Sequence, residues 1–295
     1  MSSNDFLTIV LPALNEEEAV GLVIKELREA GYQRIMLVDG HSVDRTAELA
    51  QKEGVKVVLQ DDEGKAGAIR TAIREVNTPY FLVMDCDYTY DPEDIKNLLA
   101  EREKYDMIIG ARTNGRSNIS LVNRFGNWVI TNAFRYLIGS TLSDVCSGMY
   151  LLETEVAKNL NLSAKGFAVE VDIVSQISMN RTVGEVPISF RKRIGKQKLS
   201  RWTDGLKIFY STFLLARRYN PMFMFVYLAF AAGIPASLIL LWTILEVLMR
   251  GVWNSGYALF GGMLFIVSFQ CFMLAAISVL LKRMERRIES RLRRV

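Results

Sequence analysis

The sequence predicts an α/β domain built on a mostly parallel sheet, followed by amphipathic interface helices and a two-helix transmembrane hairpin. Three observations lead there. Short apolar runs alternate with helix-like stretches through the first 112 residues. Acidic and polar residues gather where those runs end. The last quarter of the 295-residue chain holds two long segments without a charge.

The apolar runs are Leu7-Thr-Ile-Val-Leu11, Ile35-Met-Leu-Val38, Val55-Lys-Val-Val-Leu59, Phe81-Leu-Val-Met84 and Met107-Ile-Ile109. Helical patterning lies between them, near 16–30, 43–53, 65–76 and 92–104. Strands alternating with helices give a parallel sheet covered on both faces. Ligands of such sheets bind at the carboxyl ends of the strands. Asn15, Glu16, Asp39, Asp85, Asp87 and Arg112 are expected there. No G-x-G-x-x-G follows the first run, and "GKAGA" (64–68) lacks the Walker spacing, so a dinucleotide fold of the usual kind and a P-loop ATPase are disfavoured.

In "MDCDYTYDP" (84–92) two carboxylates stand one residue apart. On a regular strand they point to the same side, and unpaired they raise each other's pKa. A divalent cation removes that conflict. Carboxylate oxygens suit Mg²⁺ or Mn²⁺, and Mg²⁺ fills its shell with substrate phosphates. Asp91-Pro92 has a plainer reading, a helix cap followed by proline at the first helical position. That leaves Asp85 and Asp87 as a metal and diphosphate site.

Beyond residue 113, Ile119 to Ile138 reads as a helix with Arg124 and Arg135 embedded, and Val183 to Phe190 as a strand. "RKRIGKQKLSR" (191–201) is a basic loop. The N-terminal domain is expected to span 1–202. Residues 203–220 form an amphipathic juxtamembrane helix with Leu206, Phe209, Tyr210, Phe213 and Leu214 apolar.

Met222 to Leu245 and Tyr257 to Leu281 carry no charge. Each is about 24 residues, roughly 36 Å as a helix against a bilayer core of about 30 Å. Spans are expected at 221–249 and 257–281. Arg217 and Arg218 precede the first, and a basic tail, 282–295, follows the second. Positive flanks stay cytoplasmic. The expected protein is a two-helix, multi-pass protein of the cell membrane with its large domain on the cytoplasmic side. The tail holds seven basic and two acidic residues in a chain of net charge +4, so the remainder sums to about −1. Its partner is therefore the lipid bilayer, and no nucleic acid is implied. Met284, Ile288, Leu292 and Val295 recur at helical spacing, which makes the tail an amphipathic helix on anionic headgroups. Gly261 and Gly262 either permit close helix packing or simply face lipid, and a homo-oligomer stays open. Met1 to Asp5 lacks the basic start of a signal peptide. Three scattered cysteines suit a reducing compartment.

"IVLPALNEEEAVG" (9–21), "VDGHSVDRTAELA" (38–50), "GKAGAIRTAI" (64–73), "MDCDYTYDP" and "IIGAR" (108–112) come in the order and spacing of family 2 glycosyltransferases with the GT-A (Rossmann-like) fold. "DVCSGMYLL" (144–152) and "EVPISFRKRIGKQKLS" (185–200) resemble the polyprenyl-phosphate branch, typified by dolichyl-phosphate mannose synthase. The resemblance covers roughly residues 6 to 200. It implies transfer of a hexose from a nucleotide sugar (GDP-mannose, UDP-glucose or UDP-N-acetylglucosamine) to dolichyl or another polyprenyl phosphate. It also implies roles. Pro12, Leu14, Glu16, Asp39 and Asp85 would hold the nucleotide. Asp85 and Asp87 would bind Mg²⁺ or Mn²⁺. Asp87, Arg112 and Arg124 would serve catalysis, the arginines on the sugar and acceptor side, and Arg193 and Lys198 would grip phosphate. The chain departs from the family pattern at Leu14, in place of a tyrosine, at Gly40, in place of a second aspartate, and at Thr89, where mannose synthases often have glutamine.

The residues support a phosphate acceptor independently. A hydroxyl acceptor needs a general base, and the one histidine, His41, reads as a turn or ribose contact. A phosphomonoester, with a second pKa of about 6, is already largely dianionic at neutral pH. It needs cations, and "RKRIGKQKLSR" with Arg112, Arg116 and Arg124 supplies them. Three other readings are weaker. A processive polysaccharide synthase carries Q-x-x-R-W, and "QKLSRW" (197–202) is one residue too long. A nucleotidyltransferase wants a glycine-rich basic loop after the first strand. A non-catalytic nucleotide-sugar-binding membrane protein has no need of the D-x-D.

Overall fold

The computed structural model describes residues 5–138, 140–162, 169–195 and 222–292. Two compact units divide the chain, 1–212 and 213–295. The expected juxtamembrane helix at 203–220 and Lys198 lie outside the described residues.

The first unit is an α/β domain around a seven-stranded sheet. Its early elements are β1 (Leu7–Ala13), α1 (Val20–Glu29), β2 (Ile35–Asp39), α2 (Thr46–Lys52), β3 (Lys56–Leu59), α3 (Gly64–Glu75) and β4 (Tyr80–Val83). A 3-10 turn at Pro92–Asp94 leads into α4 (Ile95–Ala100), then β5 (Met107–Asn114) and α5 (Leu121–Ile138). β6 (Tyr150–Glu153), α6 (Thr154–Lys158), α7 (Val169–Asn180) and β7 (Val183–Ser189) complete the described part of the unit. The strand order is β3-β2-β1-β4-β6-β5-β7.

All four strands expected before residue 85 pair in parallel, β3 on β2, β2 on β1 and β1 on β4. Being central, β1 and β2 read as continuous apolar runs because both faces are covered. α1 lays Val20, Val23, Ile24 and Leu27 on the sheet, the spacing of one helix face. Asp91 caps the turn at Pro92, accepting from the Glu93 N–H at 3.0 Å. That confirms the plain reading of Asp91-Pro92.

The unexpected element is β6. It runs antiparallel between β4 and β5. Four residues of "YLLE" gave too short a signal to separate from loop. Its direction matters for the site. An antiparallel strand starts where its parallel neighbours end, so the segment leading into β6, Asp144 to Met149, arrives at the carboxyl ends of β4 and β5.

The second unit holds α8 (Met222–Arg250) and α9 (Ser255–Leu292). Within them, Met224–Arg250 and Ser255–Leu281 are each long and apolar enough to cross a membrane. The link is shorter than expected, Gly251 to Asn254, because α8 runs on through Glu246 and Arg250. The basic tail does not start a helix of its own. α9 continues unbroken from the apolar segment to Leu292.

Candidate active site

The parallel register places Ala13 beside Asp39. The ends of β1, β2 and β4 therefore deliver Pro12, Leu14, Glu16, Asp39, Asp85 and Asp87 to one rim. Three non-glycine residues with positive φ lie here, Asn15 (50°), His41 (64°) and Tyr88 (70°). For a bulky tyrosine such a backbone is a real outlier, and strain of this kind collects at ligand sites. Tyr88 is held in place by its hydroxyl, which donates to Glu26 at 2.6 Å, and by Arg191 over its ring at 5.2 Å.

Asp39 is buried, 4% exposed. Its Oδ2 accepts from the Ser42 N–H at 3.0 Å. Its Oδ1 has no partner among the described residues. A buried carboxylate oxygen left without a donor is costly, and here it lies at the carboxyl end of β2, beneath the rim.

Asp85 and Asp87 are each matched to one cation. Lys65, at the start of α3, reaches Asp85 Oδ1 at 2.5 Å and Glu170 Oε1 at 2.6 Å. Burial alone would lower the Lys65 pKa, but Asp85 and Glu170 outweigh it and hold the ammonium charged. Arg193 reaches Asp87 Oδ2 at 2.6 Å and Glu16 Oε1 at 2.5 Å. Burial and the neighbouring Asp85 push the Asp87 carboxyl up from its ordinary value, while Thr89 and Arg193 pull it down. Thr89 donates to Asp87 Oδ1 through its hydroxyl at 2.5 Å and its N–H at 3.2 Å.

The segment after β7 is stitched to the aspartate loop by its backbone. Arg191 N–H donates to the Thr89 carbonyl at 2.7 Å, and Ile194 N–H to the Asp87 carbonyl at 3.2 Å. Arg191 pairs with Glu26 at 2.7 Å and Asp91 at 2.6 Å. Arg193 is thus delivered to Asp87 by main-chain contacts on both sides of it.

Arg112 ends the buried part of β5 at 8% exposure. Its guanidinium makes a two-pronged pair with Asp144, at 2.7 and 2.8 Å, and lies 5.4 Å over the Phe190 ring. Its donors face Asp144, so it acts in this structure by fixing the loop before β6. Arg124, on the first turn of α5, is exposed and makes no side-chain bond among the described residues.

Sequence reasoning missed Lys65, Glu170, Asp144 and Gly148. "GKAGA" was legible as a failed phosphate loop, but its lysine had no visible partner, because Glu170 lies 105 positions away. Gly148 packs against Asp85: a Cβ there would collide with the carboxylate and lie 3.0 Å from Lys65 Nζ.

A mixed sheet that gathers paired carboxylates and opposing cations at its strand ends is the layout of a GT-A glycosyltransferase domain. The chain belongs to glycosyl transferase family 2, whose model matches residues 8–160, and it is a glycosyltransferase. It is 30% identical to glycosyltransferase AglJ of Haloferax volcanii over 261 residues, 85% of this chain and 86% of that protein. It is 31% identical to the dolichyl-phosphate hexose transferase of the same organism over 209 residues, 69% of this chain and 91% of that one. Among solved structures, glucosyl-3-phosphoglycerate synthase from Mycobacterium tuberculosis, in complex with Mn²⁺, UDP-glucose and phosphoglyceric acid, aligns with a TM-score of 0.62 at 19% identity. That match covers 71% of this chain and 79% of the synthase, and it is a likeness of fold.

Proposed function

We propose that this glycosyltransferase moves a hexose from a nucleotide sugar to the phosphate of a dolichyl or other polyprenyl carrier, inverting the anomeric carbon. The observation that carries the reading is the pairing of Asp85 with Lys65 and of Asp87 with Arg193 beside the unpartnered oxygen of Asp39. Each aspartate is held by a side-chain cation that a divalent ion would displace.

Two hard carboxylates on one rim fit Mg²⁺ or Mn²⁺, with the donor's phosphates completing the shell. When bound, the ion would neutralise charge on the departing diphosphate. The protein's own residues supply the rest. Asp39 Oδ1 accepts a hydrogen bond from the base or ribose, and Pro12 and Leu14 pack beside it. Arg193, turning from Asp87 to the donor, stabilises charge that develops on the diphosphate, with Lys198 assisting. Arg112 and Asp144 hold the wall on which the sugar rests. Arg124 meets the acceptor phosphate, and that phosphate oxygen attacks the anomeric carbon from the face opposite the diphosphate. α8 and α9 anchor the domain, with 1–202 on the cytoplasmic side by the basic flanks.

A second reading has one observation behind it. Glu170 is buried, and burial pushes its carboxyl up, with Lys65 opposing. A raised carboxyl near the site is a candidate base for a hydroxyl acceptor. Its ion pair to Lys65 argues for a structural role.

The test offers GDP-mannose, UDP-glucose and UDP-N-acetylglucosamine separately, each labelled, to membranes holding the protein and short-chain dolichyl phosphate. Label entering the organic phase from one donor supports the reading and names the sugar. Nucleotide binding without lipid product from any donor overturns it.

A further inference from the structure

We propose that Tyr88 is a positioning residue for Asp87: a clasp of Glu26, Asp91 and Arg191 holds its backbone in a left-handed turn, and that turn aims the Asp87 carboxylate. The inference rests on the reading of Asp87 as a metal and diphosphate residue. Tyr88 has a φ of 70°. A large aromatic residue keeps such a backbone only where surrounding contacts impose it.

Those contacts come from separate parts of the chain. On α1, Glu26 accepts from the Tyr88 hydroxyl at 2.6 Å through Oε1 and from Arg191 at 2.7 Å through Oε2. Arg191, after β7, also pairs with Asp91 at 2.6 Å and lies 5.2 Å over the Tyr88 ring. The ring packs against the main apolar core of the domain. Glu26, Arg191 and Asp91 are all half-buried, so salt screens these pairs less than pairs on open surface. Ring and hydroxyl of Tyr88 are thus both fixed, and its backbone cannot relax without breaking the hydroxyl bond and the stacking with Arg191.

The turn shapes the surroundings of Asp87. Thr89 follows Tyr88 and gives Asp87 Oδ1 two donors, its hydroxyl at 2.5 Å and its N–H at 3.2 Å. That N–H faces back to the side chain two residues earlier because the chain doubles round at Tyr88. The Thr89 carbonyl is held from the other side by the Arg191 N–H at 2.7 Å. With Oδ1 turned to Thr89, Oδ2 is presented to Arg193 at 2.6 Å. A Tyr88 relaxed to negative φ would carry both Thr89 donors away and leave Asp87 Oδ1 without them. Glu26 and Arg191 therefore act on Asp87 through Tyr88.

The test uses the full-length protein. Mn²⁺ binding is read by electron paramagnetic resonance with UDP and with GDP in separate runs, beside kcat for the donor the enzyme uses. Arg191→Met and Glu26→Ala each open the clasp. Each is expected to lower Mn²⁺ affinity and kcat by about 10- to 100-fold, the usual cost of losing a partner that orients a metal ligand. Arg191→Met with Tyr88→Gly separates positioning from plain stability. Glycine takes a positive φ without steric cost, so this double variant should regain most of the affinity and rate while its melting temperature stays low. A double variant no better than Arg191→Met overturns the proposal, and so does parental Mn²⁺ affinity in both single variants. Asp87→Ala tests the reading beneath it. If Asp87→Ala keeps parental Mn²⁺ affinity, the metal role of Asp87 falls and the proposal with it. If Asp87→Ala loses the ion while the clasp variants keep it, the proposal alone falls.

Discussion

Arg193 sits with Nη1 2.6 Å from Asp87 Oδ2 while its other nitrogen contacts Glu16. A monovalent side-chain cation thereby holds a carboxylate that the proposed function assigns to a divalent ion. Without nucleotide, Arg193→Met should bind Mn²⁺ more tightly, by about tenfold, or about 1.4 kcal/mol. Turnover of the same variant should fall about 10²- to 10³-fold, the usual cost of losing a donor to developing charge. Mn²⁺ titration by electron paramagnetic resonance and initial rates check the two halves. Unchanged Mn²⁺ affinity would show that the guanidinium does not compete with the ion.

Gly148 leaves Asp85 the space it occupies. Gly148→Ala puts a Cβ into the carboxylate, so Asp85 must turn away. A shift of about 1 Å in a reacting constellation costs about 10²-fold in rate. The expected variant is folded, with a melting temperature near that of the parent and activity reduced at least that far. Full activity would mean that the position of Asp85 is not critical.

Arg112 and Asp144 form a buried two-pronged ion pair, at 2.7 and 2.8 Å. Removing one partner of such a pair costs about 3–5 kcal/mol, while replacing both by apolar residues is close to neutral. Arg112→Met should unfold at much lower denaturant. Arg112→Met with Asp144→Leu should recover most of the loss without recovering activity. A single variant as stable as the parent would contradict the assigned role.

Asp39 has one bonded and one unbonded carboxylate oxygen. Asp39→Asn removes a buried charge, so stability should be unchanged or higher. A hydrogen bond to a charged group contributes about 1.5–3 kcal/mol, so KM for the donor should rise about 10- to 100-fold. Donor titrations decide it, and an unchanged KM would place the nucleotide elsewhere.

The early half of the fold was legible because parallel strands buried on both faces leave continuous apolar runs. The aspartate loop was legible because Asp85 and Asp87 are near neighbours in sequence. Their cations were not. Lys65 and Arg193 come from elements 20 and 106 positions away from their aspartates, and only the sheet order brings them to one rim. Arg112 has a partner that was equally hidden. An arginine at a strand end reads as a ligand contact, but the antiparallel β6 brings Asp144 to meet it. The short β6 was invisible to periodicity, and so was the pairing it creates.

The central claim is metal-assisted transfer to a lipid phosphate, and one comparison tests it most directly. Full-length protein receives the labelled donor it uses, with short-chain dolichyl phosphate or short-chain dolichol, each with Mg²⁺ or with EDTA. The predicted result is a lipid product from dolichyl phosphate with Mg²⁺ alone. Product from dolichol, or product that survives complete chelation, would contradict the claim.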